Sequence, residues 1–132
     1  MIVDASVALK WLVVEPDSGE ALALLGRSDF AAPTLIHAEV GNAIWKKQRK
    51  GEFGPDPELL TLPDRLASII ETVDETPLLA RALEIALELD HPIYDCIYLA
   101  LAEDRGDRLV SADRRFLAKV GQSSFASLVE AL

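Results

Sequence analysis

Four carboxylates, at Asp4, Glu39, Asp95 and Asp113, each stand as the lone acid in an apolar or small-residue stretch that begins, or leads into, a helix. An ionised carboxylate in such surroundings loses hydration and needs a compensating partner. Gathered in one place, the four would form an all-oxygen donor set with no cysteine or histidine cluster, which selects magnesium or manganese over zinc. Metal ions so held lower the pKa of a bound water and can make it a nucleophile.

Each acid also has an ordinary reading. Asp4 follows Met1-Ile2-Val3, and Ser6 is the expected capping hydroxyl of the helix that comes next. Asp113 follows the strand-like Arg108-Leu109-Val110-Ser111 and is placed to cap a helix through Phe116 and Leu117. Glu39 borders a helical stripe of Ile36, Val40, Ala43 and Ile44, with Asn42 on the same border, and alone would pass for a half-exposed helix acid. Asp95 is the hardest to dismiss. It is the only acid in the apolar run from Ile93 to Ala102, which predicts a largely buried carboxylate whose nearest basic neighbour is His91. The metal reading rests on the four together.

The elements that must gather them read as strand 1–4, helix 6–14, helix 17–26, strand 29–32 and helix 34–50. A Pro/Gly-punctuated stretch 51–57 follows, then a short helix near 58–67, strand 69–73, helices 77–89 and 94–105, strand 108–111 and helix 113–120. The last residues, 123–132, are expected to hold a short edge strand around Phe125 and then a helical end. Strands alternating with one or two helices imply an α/β fold, three layers in the order α/β/α around a short, mainly parallel sheet with right-handed crossovers. Ligands of such sheets collect beyond the carboxyl ends of the strands. Asp4 and Asp113 reach that rim if the first and fourth strands are neighbours, and Glu39 and Asp95 reach it from the opening turns of their helices. At about 5.5 Å and an effective dielectric of about 20, each pair of ionised acids repels by roughly 3 kcal/mol, so either protons or cations must relieve the set.

At 132 residues and 50% apolar, the chain is expected to form a single domain over residues 1–132. The lone Cys96 excludes an intramolecular disulfide and fits a reducing cytosol, and no apolar run has the length needed to span a bilayer. A cytoplasmic protein is expected. The net charge of −9 argues against a general nucleic-acid binder, but four of the negatives belong to the proposed site. The cations are bunched: Lys46, Lys47, Arg49 and Lys50 close one helix, where they also complement its dipole, and Arg114 and Arg115 follow Asp113 as possible phosphate contacts.

The ordered pieces Ile2-Val3-Asp4-Ala5-Ser6, Glu39-Val40-Gly41-Asn42, Tyr94-Asp95-Cys96-Ile97-Tyr98-Leu99-Ala100-Leu101-Ala102 and Leu109-Val110-Ser111-Ala112-Asp113 resemble the PIN domain, and within it the VapC-type toxins of prokaryotic toxin–antitoxin pairs. The resemblance covers the whole chain. It implies a Mg2+- or Mn2+-dependent endoribonuclease, with Asp4, Glu39, Asp95 and Asp113 as catalytic metal ligands and Ser6, Asn42 and Ser111 as polar support. It further implies an RNA substrate, a small antitoxin partner and a homodimer. Two positions depart from the family pattern: Ser111 stands where Thr is commoner, and Arg115 where some members place a further acid. A haloacid-dehalogenase-like phosphatase would need a second Asp where Ser6 stands, and a receiver domain would need an acid pair at the end of the first strand. The alternatives are a catalytically silent PIN-fold partner-binding module and a non-toxin PIN nuclease in RNA processing. Trp11 and Trp45 are candidate anchors for a partner helix, with ordinary core packing the alternative for each.

Overall fold

The architecture follows from where apolar residues run without interruption. Ile2 and Val3 are fully buried and form β1 (Ile2–Val3), and the equally buried Leu109 and Val110 form most of β4 (Leu109–Ser111). Continuous burial of this kind is what a parallel strand covered on both faces requires. In this computed structural model, which describes residues 1–54 and 56–132, these two strands lie side by side in parallel, with Ile2 opposite Leu109 and Val3 opposite Val110.

Among the described residues, five strands form one parallel sheet in the order β3-β2-β1-β4-β5, with β2 at Ala31–Pro33, β3 at Glu71–Val73 and β5 at Val129–Ala131. The chain builds outward from β1 to β3 on one side, then crosses to β4 and β5 on the other. With right-handed crossovers, this reversal sends the connecting helices to opposite faces. On one face α1 (Ala5–Leu12) packs against α2 (Ser18–Leu24), α3 (Leu35–Arg49) and α4 (Leu62–Ile69). On the other, α5 (Leu79–Leu89) lies along α6 (Ile93–Arg105), while α7 (Arg114–Gly121) packs on β5. The three-layer α/β/α reading holds. The switch point falls between β1 and β4, so the crevice beyond their carboxyl ends is where a ligand belongs.

Helix α6 is the central support. Every residue from Cys96 to Ala102 is buried, because the helix lies between α5 and strands β1, β2 and β4. It ends at Gly106, whose φ of 60° lets its N–H close on the Ala102 and Glu103 carbonyls. Its predecessor α5 ends at Asp90, a non-glycine residue at φ 49°, and that left-handed turn delivers His91 and Pro92 to the start of α6.

Several boundaries differ from expectation. The first strand stops at Val3, leaving Asp4 as the N-cap of α1, so Ser6 is inside the helix and not its cap. The expected short helix near 58–67 divides into a 3-10 turn at Pro57–Thr61 and α4, each with a proline in its first turn. Within the Pro/Gly stretch 51–57, Pro55 lies outside the described residues. The C-terminal order is the reverse of that expected: Phe125 leads into a 3-10 turn at Ala126–Leu128, and the edge strand comes last. Among the described residues no helix is long and apolar enough to cross a membrane.

Candidate active site

Asp4 sits where β1 gives way to α1, with extended backbone (φ −96°, ψ 174°) that turns its carboxylate back over the helix N-terminus. Its Oδ1 accepts the Val7 N–H at 3.2 Å and the Ser6 hydroxyl at 2.5 Å. The same Ser6 oxygen accepts the Ala112 N–H at 2.9 Å, so one hydroxyl ties the end of β1 to the end of β4 across the switch point. Asp4 is 8% exposed. Burial pushes its pKa up to about 6, with the Ser111 and Ser6 hydroxyls and the Val7 N–H pulling down and the Asp95 charge adding a smaller push upward.

Glu39 lies one turn further into α3 than the opening turn expected of it. Its Oε2 accepts the hydroxyl of Tyr98 at 2.5 Å, a bond between helices on opposite faces of the sheet that meets beyond the strand ends. Burial raises the Glu39 pKa, the Tyr98 bond lowers it, and the charges of Asp95 and Asp4 raise it again. Burial of Tyr98 and the adjacent Glu39 charge hold the phenol well above its usual range, so it stays a donor. For both acids desolvation outweighs mutual repulsion.

Asp95 corrects that expectation further. The apolar run predicts a buried carboxylate, yet the side chain is 40% exposed, because Asp95 belongs to the first turn of α6 and burial begins only at Cys96. Its predicted neighbour does engage it: His91 Nε2 lies 2.6 Å from Asp95 Oδ2, and the imidazole rests against Phe116 of α7 with ring centroids 5.2 Å apart. Asp113 is a true N-cap, its Oδ1 accepting the N–H groups of Arg115 and Phe116, both at 3.0 Å. The buried Ser111 supports it by accepting the Asp113 N–H at 3.0 Å.

Four elements thus bring Asp4, Glu39, Asp95 and Asp113 to a single cleft of about 280 Å³, whose wall also carries Ser6, Asn42 and Lys46. The donor chemistry fits a hard divalent cation: the ionisable donors in the wall are carboxylates, and the most buried of them is held toward its neutral form without a counter-charge. As the side chains stand, Ser6, Tyr98 and His91 engage three of the acids, and among the described residues no three His, Cys, Asp or Glu groups are already clustered as a closed ion cage. Arg114 and Arg115 are exposed beside the Asp113 cap. Tyr98 and Lys46 were absent from the residues singled out for the site. Lys46 was readable, since it lies seven positions after Glu39 and four after Asn42 on α3, on the same helical face. Tyr98 is three positions after Asp95, but its partner is 59 residues away and no local pattern reports it.

The family model described as the PIN domain matches residues 1–122. Among curated proteins, Exonuclease VapC9 of Pyrobaculum aerophilum is 38% identical over 93 residues, covering 70% of this chain and 68% of that protein. Ribonuclease VapC3 of the same organism is 28% identical over 122 residues, covering 90% of this chain and 93% of the relative. The crystal structure of PAE2754 from Pyrobaculum aerophilum superposes with a TM-score of 0.71 at 28% identity, over 89% of this chain and 77% of that one. VapBC2 from Rickettsia felis, solved bound to a DNA fragment from their promoter, gives a TM-score of 0.65 over 99% of this chain and 97% of that one, and at 14% identity it is a likeness of fold. By the extent of the family match and the identity to these relatives, the chain belongs to the PIN-domain family and is of the VapC type.

Proposed function

We propose that the chain is a Mg2+- or Mn2+-dependent endoribonuclease that hydrolyses RNA phosphodiester bonds, and that it is the toxin of a toxin–antitoxin pair. The observation that carries this is the convergence of four carboxylates from four separate helices, at their N-caps or within their first two turns, on one cleft at the switch point. Asp4, Glu39, Asp95 and Asp113 would hold the ions, Asp4 being the most buried of the four. Bound there, divalent cations supply a water of lowered pKa and neutralise charge on the phosphate and on the leaving oxygen. Ser6 fixes the Asp4 carboxylate against the β4 end, and Asn42 adds a neutral polar group to the same wall. Lys46 in the wall, with Arg114 and Arg115 beside it, would meet the phosphates of an RNA strand and set its register without reading bases.

The toxin assignment is supported by the VapC relatives. A small antitoxin is the proposed partner, with a homodimer as the proposed assembly. The test is incubation of the purified chain with linear and circular RNAs, with and without Mg2+ or Mn2+, beside Asp4→Asn. Cleavage of the circular RNA in the presence of metal, lost in the variant, is the expected result. Metal-dependent loss of linear RNA alone would make the enzyme an exonuclease, and absence of cleavage in every arm would leave a silent binding module.

A further inference from the structure

Tyr98 presents a physical puzzle. It is the largest of the fully buried side chains, 1% exposed within α6, in a run of residues that otherwise carry no hydrogen-bonding side chain beyond a thiol. A phenylalanine would fill the same volume without the cost of removing a hydroxyl from water. The hydroxyl finds one side-chain partner, Oε2 of Glu39, which stands on a different helix in the opposite layer. The bond is therefore unnecessary for forming either helix, and it fixes one oxygen of an acid that lines the cleft.

We infer that Tyr98 is a positioning residue, whose hydroxyl holds Glu39 Oε2 and so sets how that carboxylate faces the cleft that Asp95 also lines. The two acids come from different layers, and α6 carries both Asp95 and, one turn later, the hydroxyl that fixes Glu39. One buried helix thus determines the relation between two of the proposed ligands. This rests on the metal reading proposed above and adds to it a residue outside the cleft wall. Hydrogen-bonded neighbours of metal ligands typically govern about 10- to 100-fold of metal affinity by restricting ligand orientation.

The test is Mn2+ binding, measured calorimetrically and by the electron paramagnetic resonance signal of free Mn2+, in the wild type, Tyr98→Phe, Glu39→Gln and the double variant. Tyr98→Phe keeps the buried ring, so its circular dichroism and its metal-free melting temperature should stay close to those of the wild type. Its Mn2+ affinity should nevertheless fall by about 10-fold or more. In the Glu39→Gln background the same change should add little, because the group being positioned has already lost its charge. RNA cleavage at saturating metal should recover more fully in Tyr98→Phe than in Glu39→Gln. A wild type that binds and a Tyr98→Phe variant that binds equally well would overturn the positioning role and leave the metal reading intact. Full additivity of the two changes would overturn it as well. A wild type that binds no Mn2+ would overturn both readings, and a Tyr98→Phe variant that loses its fold would show the hydroxyl to be structural.

Discussion

Asp4 shows how one residue can serve both the fold and the chemistry. It caps α1 through the Val7 N–H, and it is also the most buried of the acids in the cleft. Replacing it with Asn keeps the shape and a capping oxygen but removes the charge, as do Glu39→Gln and Asp95→Asn at their positions. Each of the three variants should lose metal-dependent RNA cleavage while retaining its fold, measured by cleavage of labelled RNA beside circular dichroism, and retained cleavage in all three would sink the site assignment. The raised pKa adds a second expectation, made for the metal-free protein. Since Asp4 titrates at about 6 when folded against 3.8 as the reference, the folded state binds its proton more tightly. The resulting stability is fully present below the unfolded pKa and disappears as pH rises through the folded one, a loss of roughly 3 kcal/mol. Glu39 acts in the same direction. Denaturant unfolding of the wild type should therefore weaken between about pH 4 and about pH 7 relative to Asp4→Asn; parallel curves would refute the burial of an uncompensated charge at Asp4.

At the scale of the element, the readable parts were those where one physical demand acts alone. Fully apolar dipeptides mark β1 and β4, where burial from both sides leaves no ambiguity, and the stripe of Ile36, Val40 and Ile44 marks the one buried face of α3. Misreadings arose where two demands compete within a few residues. Asp95 occupies the first turn of an otherwise buried helix, and its exposure is set by the rim of the sheet, which composition does not describe. Around Phe125 and Val129, both buried, two short apolar anchors flank a turn, and a three-residue strand carries too little pattern to say which side pairs with β4. The bond from Tyr98 to Glu39 lay beyond any local signal. Asp113 permits its structural and chemical roles to be separated. Asn accepts the same cap bonds, so Asp113→Asn should reduce metal-dependent activity at nearly unchanged stability, whereas Asp113→Ala should lose activity and also about 1 kcal/mol through the open N-terminus of α7. Chemical denaturation and cleavage assays on the two variants check this; equal stabilities would deny the cap its energetic role.

For the whole molecule, four acids converging on one cleft make the stability of the folded state responsive to cations. If Mg2+ or Mn2+ enters the cleft, a concentration of about 100 times Kd stabilises the folded state by about 2.7 kcal/mol, or roughly 10 °C in melting temperature at this size. Asp4→Asn should respond much less, and an equal shift in both proteins would place the ion elsewhere. The two tryptophans, alike in sequence as anchors for a partner, are separated by the structure. Trp11 is partly buried and packs against the core, its indole N–H donating to the Ala21 carbonyl at 2.7 Å and its ring edge-on to Phe30, while Trp45 is 54% exposed beside Leu60, which is 84% exposed. Trp45 lies on α3 within one turn of Asn42, and Lys46, its neighbour in sequence, is in the cleft wall. A partner seated on Trp45 would therefore be close enough to extend a basic side chain toward the carboxylates and compete with the ions. If the chain is a toxin as proposed, co-expression with a small co-encoded antitoxin should yield a complex whose nuclease activity is suppressed and partly restored by excess Mg2+. Trp45→Ala should weaken that complex without lowering the melting temperature of the free chain, and Trp11→Ala should do the opposite, costing about 2 kcal/mol or more of stability. Binding that survives Trp45→Ala undiminished, with inhibition indifferent to metal, would put the partner on another face and require a different route to inhibition.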